Sequence, residues 1–366
     1  MSGERIEALS VCFAAGVAAG AACCAIFPHI WFPCSLSAFL LFTLLIHAVR
    51  LRRADVRLIL ALYLSCGAFC YLTSHAGSAW STGTIDPLTR AAASSAERLK
   101  DMIAGIPYDD PATGGIVTAL LTGDRSGISR ETASIFRESG ASHILALSGM
   151  HLGIIYMLLV WIMVPLGNSP AMRKVRCCMV LAVTFLYSLA TGMSPSITRA
   201  FLFVTINETA VLCGRRAQPA KVFCAALLIQ LALDPEVIGS IGFQLSYLAM
   251  CGIVLVFPTL EGWFPHDKGL KGLERFDPAR RIWQASALGI SCQLFTAPLV
   301  WLRFHTFPKY FLMTNLLAMP VTTVVMVLSI ATAALTAAGV CPALLIEADE
   351  KAVRTLIWIL TVISGM

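Results

Sequence analysis

The chain has 366 residues, of which 57% are hydrophobic and 13% charged. Soluble domains carry about 25% charged residues, so this composition cannot cover a water-facing surface and excludes an ordinary soluble domain. The net charge of +6 is mild for a nucleic-acid binder, and in a membrane protein such an excess mostly orients loops.

Apolar runs near the length of a membrane helix, about 20 residues, recur along the whole chain. In order they are Leu9–Phe27, Trp31–Val49, Val56–Leu72, Ile144–Leu166, Val175–Thr191, Ile197–Cys213, Val222–Leu233, Ile241–Phe257, Ile282–Leu302, Phe311–Ala338 and Val353–Met366. Val222–Leu233 is short enough for a half-helix, and Pro320 inside Phe311–Ala338 predicts a kink or break. Every second connection is basic: Arg50, Arg52, Arg53 and Arg57; Arg173, Lys174 and Arg176; Arg215, Arg216 and Lys221; Lys268, Lys271, Arg275, Arg280 and Arg281. The alternate connections are nearly free of Lys and Arg. The positive-inside rule then places the basic loops and the N-terminus in the cytoplasm. The expected fold is all-α, a polytopic transmembrane helical bundle of about ten or eleven spans with one amphipathic interfacial helix. Three regions are expected: 1–75 with three spans, 76–112 as a short outer-face connector holding an amphipathic helix over Leu88–Ile103, and 113–366 as a transmembrane domain.

The 13 cysteines show no zinc-site spacing and read as small apolar fillers; no metal site and no cofactor are expected. Trp31, Trp161, Trp263, Trp301 and Trp358 near span ends read as an interfacial belt.

The stretch from Thr113 to Leu152 is too polar to span and too apolar for a plain loop. Ser129 opens a helical pattern with Ile135 and Phe136 on one face and Arg130, Glu131, Arg137 and Glu138 on the other, and Gly140 ends it. Four motifs follow in order: TGDRSGIS at 122–129, FRESGASHILALSGMHLG at 136–153, SPSITRA at 194–200 and IGFQLSYLAMCGI at 241–253. In order and spacing they resemble the competence domain of the ComEC family, from about Thr113 to about Pro320. The resemblance implies a bacterial inner-membrane channel passing single-stranded DNA during natural transformation. Its implied partners are the DNA strand, the lipid bilayer, an outer-face DNA receptor and a cytoplasmic helicase-type motor. No P-loop occurs, so the chain is expected not to power transport itself. Full-length members carry an OB-like domain, for which His75–Gly115 is too short, and many end in a metallo-β-lactamase-like domain, whose H-x-H-x-D-H cluster the seven histidines do not form.

Candidate residues along a DNA path are Asp124, Arg125, His143, Ser148, His151, Arg199, Gln244, Ser246, Arg303 and Lys309. Arg125 suits a phosphate, although a local ion pair with Asp124 explains the same turn. His143, Ser148 and His151 read as polar lining near the outer mouth or as interhelical glue, with Gly149 and Gly153 letting another helix approach. Ser148 and His151 lack an orienting carboxylate, so no enzyme is expected. Arg199 suits an anionic backbone near the outer end of the path, or snorkels to the headgroups. Glu208, deeper in that span, reads as a structural or proton-coupling acid. Gln244 and Ser246 suit weak, repeated contacts with a polyanion. Arg303, His305 and Lys309 lie among Phe304, Phe307 and Tyr310, the composition for gripping single strands, or an interfacial belt. A small-molecule or ion transporter with helices broken near Pro195 and Pro320 is the alternative reading.

Overall fold

The computed structural model describes residues 3–26, 37–38, 40–41, 56–78, 87–167, 169–264, 278–305 and 309–365. The expected span Trp31–Val49, the basic groups Arg50, Arg52, Arg53, Lys268, Lys271 and Arg275, and residues 306–308 of the last outer loop lie outside the described residues. Among those described there are fourteen α-helices and no strand. They are α1 (Gly3–Ile26), α2 (Val56–Ser78), α3 (Pro87–Ala104), α4 (Pro111–Thr122), α5 (Arg130–Glu138), α6 (Gly149–Met163), α7 (Pro170–Ala190), α8 (Pro195–Leu212), α9 (Pro219–Leu233), α10 (Ile241–Leu255), α11 (Phe257–Glu261), α12 (Pro278–Phe304), α13 (Phe311–Ala337) and α14 (Ala343–Ser364).

Three of these, within Ile6–Ala25, Pro278–Phe304 and Phe311–Ala337, are long and apolar enough to cross a membrane, and Ile59–His75 of α2 together with α4, α6, α9 and α10 are shorter apolar helices. Large apolar side chains stand outward, including Trp161 at 73% exposure, Leu233 at 75% and Leu302 at 63%. Water would penalise such a surface, whereas lipid tails cover it at no cost. Trp161, Trp263, Trp301 and Trp358 are all exposed. Pro320 does not break its helix: α13 runs unbroken from Phe311 to Ala337. A second proline, Pro298, lies inside α12.

The chain folds as two compact units. The first holds Met1–Asp86 and Leu202–Gln244, the second Pro87–Phe201 and Leu245–Met366. In the first, α1 and α2 pack backbone to backbone. A Cβ added at Gly16 would collide with the Leu64 carbonyl, one at Gly20 would lie 3.0 Å from the Ala68 carbonyl, and one at Gly67 would collide with the Phe13 carbonyl. At the end of α2, His75 stacks on Tyr71 with centroids 5.9 Å apart and meets Glu236 at 3.3 Å. Both belong to connections that the charge pattern assigns to one side. Glu208 is buried here.

In the second unit the core forms around α4, a helix that the sequence pattern does not announce. Asp110 caps it by accepting from the Ala112 N–H at 2.9 Å, Pro111 opens it, and Gly123 closes it with φ +79°. Ile116, Val117, Leu120 and Leu121 of α4 pack with Phe136 of α5, Val325 and Met326 of α13, and Val353, Leu356 and Leu360 of α14. The expected α5 is present. Ser129 caps it through the Thr132 N–H at 3.1 Å, and Gly140 follows at φ +77°. The expected amphipathic helix over Leu88–Ile103 is α3.

The connector before α4 does not stay at one level. Thr314, at the start of α13, bonds the Ser139 carbonyl at 2.5 Å. Ser329 lies fifteen residues further along α13, about 22 Å at 1.5 Å per residue. There Asp349 accepts from the Ser329 hydroxyl at 2.9 Å and from the Tyr108 hydroxyl at 2.6 Å. Glu350 Oε1 accepts the backbone N–H of Asp109 at 2.6 Å and of Asp110 at 3.3 Å. So the turn before α4 sits deep along α13, while Gly123 at the far end of α4 lies against Leu147.

Candidate functional site

The candidate residues fall into separate groups. Asp124 does not pair with Arg125, contrary to the local ion pair weighed from sequence. It is bound by Lys100 of α3 and accepts the Ser126 N–H at 3.0 Å. The Lys100 ammonium, chiefly, holds its carboxyl down at about 2. Arg125 turns the other way and donates from Nε to the Leu145 carbonyl at 3.2 Å. Ser148 caps α6. Its N–H donates to His151 Nδ1 at 3.2 Å, and its Oγ lies 3.1 Å from the same nitrogen. Since Nδ1 accepts, the neutral ring carries its proton on Nε2, and that buried N–H has no acceptor. His143 is bonded to the Gly140 carbonyl at 3.1 Å and lies beside Asn315.

The second group is centred on Arg199 in the second turn of α8. Its guanidinium donates to the main-chain carbonyl of Ser246 and lies over the Tyr247 ring, 5.8 Å from the centroid. It fits because residue 149 of α6 is glycine: a Cβ there would stand 3.1 Å from an Arg199 terminal nitrogen and 3.3 Å from the Ala200 Cβ. Cys292 of α12 lies beside the guanidinium. One turn earlier, a Cβ on Gly289 would stand 3.3 Å from Asn315. A polar seam therefore runs from Arg199 past Cys292 and Gly289 to Asn315 and His143. Among the described residues, Gln293 Nε2, next to Cys292 in sequence, is buried without a hydrogen-bond partner. No carboxylate pairs with Arg199 among the described residues.

The close approach expected at Gly149 is present, whereas Gly153 has nothing within 4 Å. Ser246 contributes its carbonyl rather than its hydroxyl, and Tyr247, one residue along the same motif, is a partner that the motif does not single out. Gln244 is engaged elsewhere, donating to the Ile238 carbonyl at 2.8 Å to close the turn before α10. Arg303 and Lys309 are exposed and flank residues 306–308. His305 lies edge-on to Trp301 at 6.1 Å.

The competence protein family matches residues 120–366, more than half of the chain. The chain belongs to this family. It is similar to ComE operon protein 3 of Bacillus subtilis, with 29% identity over 210 residues, covering 57% of this chain and 25% of that protein. It is also similar to the uncharacterized protein YcaI of Escherichia coli, with 24% identity over 228 residues, covering 58% of this chain and 28% of that protein. The chain thus spans about a quarter of the length of these curated relatives. No solved structure matches. The competence-family match contains every motif quoted above, and with it the Arg199 seam, Asp124 and the α5 turn.

Proposed function

We propose that this competence protein is a membrane conduit for single-stranded DNA in natural transformation, driven by a partner and not itself an enzyme. The observation that carries the reading is Arg199, a guanidinium inside an apolar bundle with an aromatic face, a carbonyl and, among the described residues, no carboxylate. A charge there is costly unless something neutralises it, and a passing phosphodiester supplies the missing charge transiently. The uncharged amides nearby, Gln293 and Asn315, suit weak contacts that do not trap a polyanion. Ser148 and His151 read as a helix cap, because the Ser148 N–H occupies the nitrogen that a serine nucleophile would need. The transporter alternative loses support, since Pro320 leaves α13 unbroken and Pro195 starts α8.

The test is uptake of labelled DNA by a transformable strain carrying Arg199→Leu, with Arg199→Lys beside it. Expected are a transformation frequency at least about tenfold lower for Leu, the size of one charge-assisted hydrogen bond, partial recovery for Lys, and surface DNA binding unchanged. Normal transformation by the Leu variant, present in the membrane at wild-type level, sinks the reading.

A further inference from the structure

Beside the turn at Asp124 the second unit has a cavity of about 150 Å³ lined by Arg125, Ile128, Ala133, Phe136, Arg137, Ser142 and Leu145. Two guanidiniums line it. Ala133, Phe136 and Arg137 share one face of α5 at i, i+3 and i+4, and Phe136 is buried in the core, which fixes that face toward the cavity. Arg125 is held from the opposite wall by its Nε bond to the Leu145 carbonyl, leaving its terminal nitrogens to donate. The carboxylate that would neutralise it, Asp124, is taken by Lys100. Neither arginine is paired with an acid among the described residues, both are exposed, and no acid lines the cavity.

We propose that this cavity is a binding site for a single phosphate group, with Arg125, Arg137 and Ser142 as its donors. The arrangement offers hydrogen-bond donors in a planar fork and two positive charges, which match a phosphate. Its size is consistent with a small group: about 150 Å³ is below the roughly 300–1,000 Å³ of a pocket that encloses a drug-sized ligand. The occupant, a phosphodiester of the entering strand, rests on the conduit reading; the phosphate chemistry does not.

The test uses the full chain in nanodiscs of phosphatidylcholine, a fluorescent 12-nucleotide strand and, separately, inorganic phosphate. Arg137 makes no side-chain hydrogen bond among the described residues, so Arg137→Gln leaves the fold intact where Arg125→Gln, which removes the Leu145 tie, need not. Expected for Arg137→Gln is affinity for the strand about tenfold weaker, with a salt slope smaller by about 0.7 for each phosphate no longer neutralised. Arg130→Gln, on α5 but outside the cavity, binds as wild type. Wild-type affinity and slope in both Arg137→Gln and Arg125→Gln overturn the site while leaving the conduit standing. Arginine-dependent binding of inorganic phosphate with no binding of the strand upholds the site and overturns the conduit. Arginine dependence that vanishes in phosphatidylglycerol discs assigns the cavity to lipid headgroups and overturns DNA as its occupant.

Discussion

Asp349 is fully buried and takes two hydroxyl bonds, from Tyr108 and Ser329. Removing it strands both hydroxyls, and an unsatisfied buried group costs about 1–3 kcal/mol. Asp349→Ala should therefore destabilise the second unit by about 2–5 kcal/mol, read as a lower midpoint in thermal unfolding of the solubilised protein. An unchanged midpoint would show that the bonds are dispensable. The Lys100–Asp124 pair behaves differently, because its side chains are 43% and 28% exposed and such pairs contribute about 0.2–1 kcal/mol. Asp124 has a depressed value when folded, so its contribution is present above the ordinary 3.8 and disappears as pH falls through about 2. The difference in midpoint between wild type and Lys100→Met should be small at pH 7 and fade as pH falls through about 2; a difference that persists in stronger acid would mean that Lys100 acts by packing. None of these partnerships is legible in the sequence. Tyr108 and Asp349 are 241 positions apart, and no local pattern announces a pairing at that range. Asp124 beside Arg125 suggests the wrong partner because adjacent charges look like a pair, whereas the turn points them in opposite directions.

At the scale of elements, periodicity and length locate the apolar helices, α3 and α5 well, since an amphipathic face or an apolar run is a local property. The helix α4 escapes them although its signals stand in the open: Asp110 and Pro111 at one end, Gly123 at the other. Its apolar, nearly fully buried run lacks the two-faced pattern of a surface helix, and it is too short to read as a span. The α1–α2 contact is also legible in part, as Gly16 and Gly20 form the small-xxx-small spacing of close membrane helices. Only the structure supplies the opposing Gly67 of α2. Gly16→Val should force the helices apart and cost at least the about 1–3 kcal/mol of overpacking. Gly153→Ala, with open space around it, should be neutral or stabilise by about 0.5–1 kcal/mol, the helix-interior preference for alanine. Thermal midpoints of the two variants check both, and equal shifts in the two would refute the packing argument.

At the scale of the whole molecule, the chain leaves the second unit after Phe201 and returns to it at Leu245. Composition and loop charge describe the surroundings of the fold, lipid outside and basic bends on alternate connections. They cannot describe an interleaving that depends on which helices pack. They put the connector before α4 on the outer face; within it, Tyr108 reaches through Asp349 to the level of Ser329 on α13. A cysteine placed at Asp109 in a cysteine-free background should resist a membrane-impermeant maleimide added outside whole cells, while one at Ser126 reacts. Equal labelling of both would put the connector back at the surface.

The Glu350 carboxylate shows what such a bend demands. A helix satisfies its peptide groups within itself, but a bend leaves amides that need an outside acceptor. At Asp109 and Asp110 the backbone is turning, and α14 supplies a side-chain oxygen to both amides. Glutamine at 350 would still offer that oxygen, while alanine would leave two peptide hydrogens without their acceptor, so the bend tolerates loss of the charge but not of the acceptor.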